Sequence, residues 1–143
     1  MQALRRDIAQ QAAFLLNTQN KLTEYYETDS IRYGDGYIVK TNGRSVLFGV
    51  VRILRVQWYQ AELSHLSIAP AFQGFGFGAA LIKEAEEQAL ELHAKVVQCV
   101  LRVDNLASEN LFKKCGYIPG AMFLNKSSGN ILRIYQKTIW GDM

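Results

Sequence analysis

The sequence predicts an α/β protein with one mixed, mostly antiparallel, twisted sheet and helices on both faces. Segments with apolar residues every three or four positions alternate with short β-branched segments, which indicates helices interleaved with strands. Among the strands, a hairpin comes first. A strand–helix–strand unit follows in the middle of the chain, and its two strands should pair in parallel. With 143 residues and no internal repeat or linker, the chain is predicted to form one domain over 1–143.

The first half of the chain is predicted to contain two helices and three strands. Apolar residues recur at spacings of three and four from Leu4 to Leu15, which indicates an amphipathic helix. Asn42-Gly43 is typical of a type I′ hairpin turn between two strands. Pro70 ends the third strand, because proline cannot donate a ladder hydrogen bond. In chain order, these elements are expected at about 3–17, 21–27, 37–40, 45–56 and 61–69.

The second half is predicted to contain two helices and three strands. An apolar stripe from Leu81 to Leu92 indicates a helix with one buried face. A β-branched strand then ends at Asp104-Asn105, and Gly116 stops the helix that follows it. The last two strands are joined by a segment rich in turn-forming residues. These elements are expected at about 78–93, 95–103, 106–115, 121–125 and 131–139.

Composition and charge argue against several classes of function. The formal net charge is +3 and the positive residues are scattered, so a small anionic ligand fits better than nucleic acid. Cys99 and Cys115 form no disulfide framework and no metal-ligand spacing with each other or with His65 or His93, so no metal is expected. No apolar run is long enough to cross a bilayer, and we expect a cytoplasmic protein without membrane contact.

The glycine-rich segment Gln73-Gly74-Phe75-Gly76-Phe77-Gly78 is the most informative motif. Three alternating glycines allow the backbone to approach a ligand closely and to adopt a positive φ. The predicted helix that follows has free N–H groups and a positive dipole end at its first turn. The segment therefore predicts an anion site that suits a pyrophosphate group.

Two cofactor classes remain compatible with this loop at first. Gly74-x-Gly76-x-x-Ala79 matches the fingerprint of dinucleotide-binding proteins, and Asp104 ends the next strand, near where a ribose-binding acid would lie. However, the four residues from Pro70 to Gln73 separate the strand from the first glycine, whereas the dinucleotide turn follows its strand closely. The hairpin before the loop and the short chain after it also leave no room for a doubly wound sheet.

The second pattern, Gln73-x-x-Gly76-x-Gly78, resembles the loop of the GCN5-related N-acetyltransferase (GNAT) superfamily. The preceding Leu66-Ser67-Ile68-Ala69-Pro70 stands where that family has its fourth strand and a proline. Asn105 and Gly116-Tyr117 also occupy expected positions downstream. The resemblance is specific over about 61–117 and implies a GNAT fold, a single N-acetyltransferase domain and acetyl-CoA as cosubstrate.

The resemblance also implies a set of cofactor-binding residues. The amides of the loop would hold the pyrophosphate, and the two parallel strands would splay apart after Ile68. Backbone groups of the strand would pair with the pantetheine arm, and one N–H would face the thioester carbonyl. The implied cofactor-binding residues are Leu66, Ser67, Ile68, Gln73, Gly74, Phe75, Gly76, Phe77, Gly78, Asn105, Ser108 and Phe112.

Glu62 is the expected catalytic base, because histone-type members of the family carry a glutamate at this offset before the loop. Strand alternation places His65 on the opposite face, where we expect it to pack beneath a helix. His93, at a helix end, suits the helix dipole.

The general acid is where this sequence departs from the family. A tyrosine is common at the position of Phe112, and a phenyl ring cannot donate a proton. Water, Tyr25, Tyr26 or Tyr135 would have to take this role. The departure leaves open a second function, a CoA-binding module without turnover.

The acceptor is expected to be an amine of a small molecule or a peptide, bound by residues 21–35 and the last hairpin. Acidic residues in the first of these segments would suit a cationic amine: Glu24, Glu27, Asp29 and Asp35. A sheet edge near the C-terminus is also expected to allow pairing between two subunits, as a homodimer.

Overall fold

The structure is a computed structural model that describes residues 3–20, 22, 25–43 and 45–140. Helices and strands follow one another in the predicted order. The helices are α1 (Arg6–Gln19), α2 (Thr28–Arg32), α3 (Phe77–Glu91) and α4 (Leu106–Lys114). The strands are β1 (Tyr37–Thr41), β2 (Leu47–Gln57), β3 (Gln60–Ile68), β4 (Val96–Arg102), β5 (Ile118–Leu124) and β6 (Ile131–Thr138).

The six strands form one sheet in the order β1-β2-β3-β4-β6-β5. All neighbours are antiparallel except β3 and β4, which confirms the predicted mixed sheet. The parallel pairing covers only Gln60–Glu62 of β3 and Val96–Gln98 of β4. The prediction that these strands splay apart after Ile68 is therefore wrong, because their pairing already ends at Glu62. The longer separation opens a cleft between the carboxyl-terminal halves of both strands.

A β-bulge in β3 lies at the start of this separated half. Arg52 of β2 is opposite Ser64 and Val50 is opposite Ser67, so His65 and Leu66 together face one residue of β2. His65 has a φ of 61°, in the left-handed region that few residues other than glycine adopt. A bulge of this kind bends its strand and reverses the alternation of side chains beyond it.

Two apolar clusters cover the two faces of the sheet. On one face, α3 buries Leu81 and Ile82 against Val51 and Ile53 of β2. On the other face, the core contains buried residues of α1 and α2, including Leu16 and Ile31. This arrangement confirms the prediction of helices on both faces. No helix within the described ranges is long and apolar enough to cross a membrane.

The second helix differs from the prediction at 21–27. Lys21, Thr23 and Glu24 lie outside the described residues, and the helix that is described comes later, at Thr28–Arg32. The Asn17 side chain accepts a hydrogen bond from the N–H of Tyr26 (2.9 Å) and donates one to its carbonyl (3.1 Å). These two bonds satisfy the Tyr26 backbone outside a helix, which explains the later start of α2.

Candidate active-site cleft

A cleft of about 890 Å³ opens where β3 and β4 separate. It brings together ten of the residues selected from the sequence, which come from β3, the glycine loop, α3 and α4. They are Glu62, Leu66, Ser67, Ile68, Gln73, Gly76, Gly78, Asn105, Ser108 and Phe112. Gly74, Phe75 and Phe77 belong to the same loop but do not line the cleft.

The glycine loop presents free amides at the start of α3. Gly74 and Gly76 have φ values of 85° and 84°, and a Cβ atom at either position would meet nothing within 4 Å. The requirement for glycine there is therefore conformational and not a matter of space. No side chain among the described residues caps α3 at Gly76, so the N–H groups of its first turn are available to an anion.

Two features position this loop. Phe48 of β2 packs against Phe72 and Phe77, with ring centroids 4.2 and 4.9 Å away, and anchors both flanks of the loop. Gly78 serves a different purpose from the other two glycines, because a Cβ atom there would lie 2.9 Å from Cδ2 of Leu111. Gly78 thus permits the close approach of α3 and α4, which sets the width of the cleft.

The separated edge of β3 turns backbone groups toward the cleft. The N–H of Ala69 donates to the carbonyl of Phe48 (2.8 Å). Because the pairs of an antiparallel ladder alternate, the N–H and carbonyl of the neighbouring Ile68 point away from β2, toward the cleft. The Ile68 carbonyl accepts hydrogen bonds from Nε2 of Gln73 (3.1 Å) and Nε2 of Gln19 (2.6 Å). Gln73 therefore ties the loop to β3.

The α4 side of the cleft is built on a helix cap. Asn105 is the N-cap of α4, and its side-chain oxygen accepts a hydrogen bond from the N–H of Ser108 (3.2 Å). Phe112 is only 1% exposed and contacts the ring of Tyr117 edge-on, with centroids 5.1 Å apart. Phe112 is thus a core residue at the base of the cleft, with no polar atom to offer to a substrate.

The three tyrosines considered as proton donors lie in different places. Tyr135 is fully buried, and its hydroxyl donates to Glu109 (2.6 Å), so it belongs to the core. Tyr25 is 70% exposed and does not line the cleft. Tyr26 does line it. Tyr26 is therefore the one member of this set that a substrate in the cleft could contact.

The expectation for His65 is wrong. The bulge places it on the same face as Glu62, where it contacts Tyr26 and stacks on Tyr37 of β1. Nδ1 of His65 forms a hydrogen bond with the hydroxyl of Tyr26. Sequence reasoning missed this pair, although one signal was present. The inward apolar residues Leu63 and Leu66 are three positions apart, which indicates a shift in the alternation.

Burial changes the proton affinity of several groups in the cleft. It lowers the pKa of His65 below 6.5, and the nearby Arg52 guanidinium lowers it further. Burial also raises the pKa of the Tyr26 hydroxyl, as do the neighbouring Tyr37 and Tyr25. At neutral pH the pair therefore consists of a neutral imidazole and a protonated phenol.

Cys99 is the thiol that lines the cleft. Burial and the nearby Glu62 carboxylate raise its pKa to about 12, so it is protonated and weakly nucleophilic at neutral pH.

The acidic residues proposed for acceptor binding do not lie in the cleft. Glu27, Asp29 and Asp35 are exposed and are not among its lining residues, and Asp29 pairs with Arg6 (3.7 Å). Glu24 lies outside the described residues. The last hairpin does contribute to the cleft, through Asn130 and Leu132 near and within β6. No cluster of three or more His, Cys, Asp or Glu side chains suited to a metal ion occurs in the described part of the chain.

Known acetyltransferases resemble this chain in sequence. A model of the acetyltransferase (GNAT) family matches residues 3–117. A curated Bacillus subtilis (strain 168) protein, carrying the name putative ribosomal protein bS18-alanine N-acetyltransferase, is 30% identical over 70 residues. That match spans 49% of this chain and 46% of the relative, so the chain matches about half of the relative's length.

Solved structures share the fold at lower identity. Ard1 from Thermoplasma volcanium has a TM-score of 0.78 at 19% identity, covering 96% of this chain and 95% of the other. The F149A mutant of the spermidine N-acetyltransferase SpeG from Vibrio cholerae has a TM-score of 0.77 at 20% identity, covering 96% and 93%. A GNAT family acetyltransferase from Elizabethkingia anophelis with acetyl-CoA bound has a TM-score of 0.63 at 15% identity, covering 67% and 71%.

Proposed function

Because this chain belongs to the acetyltransferase (GNAT) family, we propose that it transfers an acetyl group from acetyl-CoA to a primary amine of a small molecule or a peptide. One observation carries the proposal: the uncapped start of α3 and its glycine loop lie at one end of the cleft between β3 and β4. This arrangement offers an anion site next to an unpaired strand edge, as a long ligand with a pyrophosphate group requires.

Acetyl-CoA would bind along the separated edge of β3. The amides from Gly74 to Gly78 would hold the pyrophosphate, and backbone groups of Leu66–Ile68, among them the N–H of Ile68 that points toward the cleft, would pair with the pantetheine amides. Asn105 and Ser108 would form the opposite wall, with the buried ring of Phe112 at the base of the cleft. The fold shared with the Elizabethkingia anophelis acetyltransferase, which was solved with acetyl-CoA bound, supports this choice of cosubstrate.

The geometry favours direct attack of the amine on the thioester. An acetyl-enzyme intermediate would need a reactive nucleophile, and the thiol of Cys99 is protonated, with a pKa of about 12. Glu62 is the carboxylate that lines the described part of the cleft, and we propose that it receives the cationic amine and acts as base through a water. A backbone N–H of the β3 edge would stabilise the oxyanion.

The acceptor would enter beside Tyr26 and Glu62, at the end of the cleft away from the glycine loop. Similar proteins are named as N-acetyltransferases of spermidine and of a ribosomal protein, so an assay panel should contain both classes of amine.

We further propose that residues 1–143 act as a single N-acetyltransferase domain in the cytoplasm. Two copies would pair along β5, an exposed edge strand with apolar side chains such as Ile118 and Met122.

Thiol release from acetyl-CoA, measured over a panel of polyamines and peptides with free amino termini, tests this function. We expect release that depends on at least one amine, together with a product heavier by one acetyl group in mass spectrometry. Replacing Cys99 with Ala should retain turnover if the attack is direct. Absence of calorimetric binding of both CoA and acetyl-CoA at sub-millimolar concentration would refute the proposal.

One observation favours a second candidate function, a CoA-binding module without turnover. Phe112 stands where the family often has a tyrosine, and its buried ring cannot protonate a leaving thiolate. Such a module would bind CoA and acetyl-CoA with similar affinity and release no thiol with any amine. The same two measurements therefore separate the two functions.

A further inference from the structure

We propose that Tyr26 and His65 form a proton-accepting pair for the amine, with Tyr26 contacting the acceptor and His65 taking up the proton. This inference rests on the proposed acetyltransferase function. It assigns to the cleft a second proton acceptor besides Glu62, and it gives a role to a contact between two residues that lie 39 positions apart in the chain.

The pair is held from several sides. Asn17 of α1 bonds both the N–H and the carbonyl of Tyr26, which fixes the backbone that carries the phenol. The β3 bulge aims His65 at the Tyr26 hydroxyl. Tyr37 of β1 stacks on the imidazole, with centroids 6.5 Å apart and planes 27° from parallel. A residue in the left-handed backbone conformation is uncommon outside glycine, and such positions concentrate at functional sites.

The charged and titratable groups that face the pair keep the imidazole of His65 neutral at rest. Arg52 of β2 lies over the Tyr37 ring, 4.5 Å from its centroid, and disfavours a charged imidazole. Tyr25 and Tyr37 are further titratable neighbours in the described part of the chain, and burial raises the pKa of the Tyr37 hydroxyl. At rest the imidazole of His65 is therefore neutral, and a general base must be neutral in order to accept a proton.

The proton path balances as follows. Acetylation of an ammonium group removes two protons from nitrogen, and we assign the first, before attack, to Glu62 and water. As the tetrahedral intermediate collapses, the second N–H bond breaks and that proton passes to the Tyr26 oxygen. The Tyr26 hydroxyl proton moves at the same time to Nδ1 of His65. The C–S bond breaks, the thiolate takes a proton from water, and the imidazolium ion returns its proton to solvent.

Three variants with pH–rate profiles test the pair. Tyr26→Phe removes the hydroxyl, and His65→Asn removes the proton acceptor while keeping a residue that tolerates a positive φ. Both should lower kcat by roughly 10²–10⁴-fold, the usual contribution of a general base, with little change in the KM for acetyl-CoA. Tyr33→Phe, an exposed tyrosine outside the cleft, is the matched control and should leave kcat unchanged.

The shape of the profile separates a catalytic role from a structural one. In the wild-type enzyme kcat should rise with pH through a group titrating below 6.5, because only neutral His65 accepts a proton. Glu62→Gln should keep this limb of the profile, and His65→Asn should lose it. If His65→Asn keeps the limb, or changes only KM, the inference is wrong while the acetyltransferase function stands.

A second readout does not require turnover. The chain contains two histidines, so an NMR titration gives two imidazole signals, and His93→Gln assigns them. His65 should titrate below 6.5 in the free protein, and Tyr26→Phe should shift its titration while the His93 signal stays in place. A His65 titration that ignores Tyr26→Phe would overturn the pair. If no amine is acetylated by the wild-type protein, the proposed function fails and the inference fails with it.

Discussion

Replacing Gly76 with Asp should separate the stability of the fold from the binding of the cofactor. Gly76 precedes α3 with a φ of 84° and has open space around its Cβ position, so the change causes no clash. A non-glycine residue in this conformation costs about 1–2 kcal/mol, and Asp and Asn are among the residues that tolerate it best. An anionic side chain at a helix N-terminus regains about 0.3–1 kcal/mol. The free energy of unfolding should therefore fall only slightly.

The charge that stabilises the start of α3 should weaken the binding of CoA. Two negative charges about 5 Å apart repel each other by about 1 kcal/mol in water and about 3 kcal/mol at an effective dielectric constant near 20. Gly76 is exposed, so we expect a value between these limits, which corresponds to a loss of roughly 5–150-fold in affinity. Gly76→Asn is the matched control, because it imposes the same backbone cost without the charge.

Calorimetric titration with CoA and urea unfolding measure the two quantities. Gly76→Asp should unfold at the same urea concentration as Gly76→Asn or slightly higher, yet bind CoA more weakly. The gap in affinity should narrow as salt is added, since salt screens exposed charges. Equal affinities of the two variants at low salt would show that no ligand phosphate lies at this end of α3.

Three further predictions concern the walls of the cleft. Gly78→Ala places a methyl group 2.9 Å from Cδ2 of Leu111, the end of a flexible side chain that can rotate away, and Ala is favoured over Gly inside a helix, so the free energy of unfolding in urea melts should change by less than about 1 kcal/mol. Because the folded state lowers the pKa of His65, stability should fall as the pH drops below 6.5, and His65→Asn should remove this part of a pH series of melts; an unchanged slope would contradict the assignment. Cys99, with a pKa of about 12, should resist alkylation at pH 8 in the folded protein and react once urea unfolds it, as mass spectrometry would show.

The sequence predicted most of the fold because its periodic segments are long. In the helix Phe77–Glu91 and in the strands around it, the spacing of apolar residues along the chain indicates the type of secondary structure. The glycine loop could also be predicted from the sequence, because positive φ values at Gly74 and Gly76 favour glycine strongly. Both features depend on neighbours in the chain, which is why one sequence sufficed.

Other features depended on contacts between distant residues. The helix at Thr28–Arg32 has five residues and buries only Ile31, so its pattern is too short to detect. The early separation of β3 from β4 follows from tertiary geometry, and the bulge left only the three-residue spacing from Leu63 to Leu66 as a trace. The prediction for His65 assumed that side chains alternate without interruption along β3, and it therefore placed His65 on the wrong face of the sheet.

The hydrogen bonds to the Ile68 carbonyl connect two regions of the cleft. It already accepts hydrogen bonds from Gln73 and Gln19, so a ligand amide that pairs with it must displace one of these side chains. Gln19 lies in the last turn of α1, two residues beyond Asn17, which holds Tyr26. A ligand amide bound at Ile68 would thus free a side chain close to the one that holds Tyr26. Binding at the Ile68 edge and binding beside Tyr26 would therefore be coupled, and each would change the affinity for the other by the same factor.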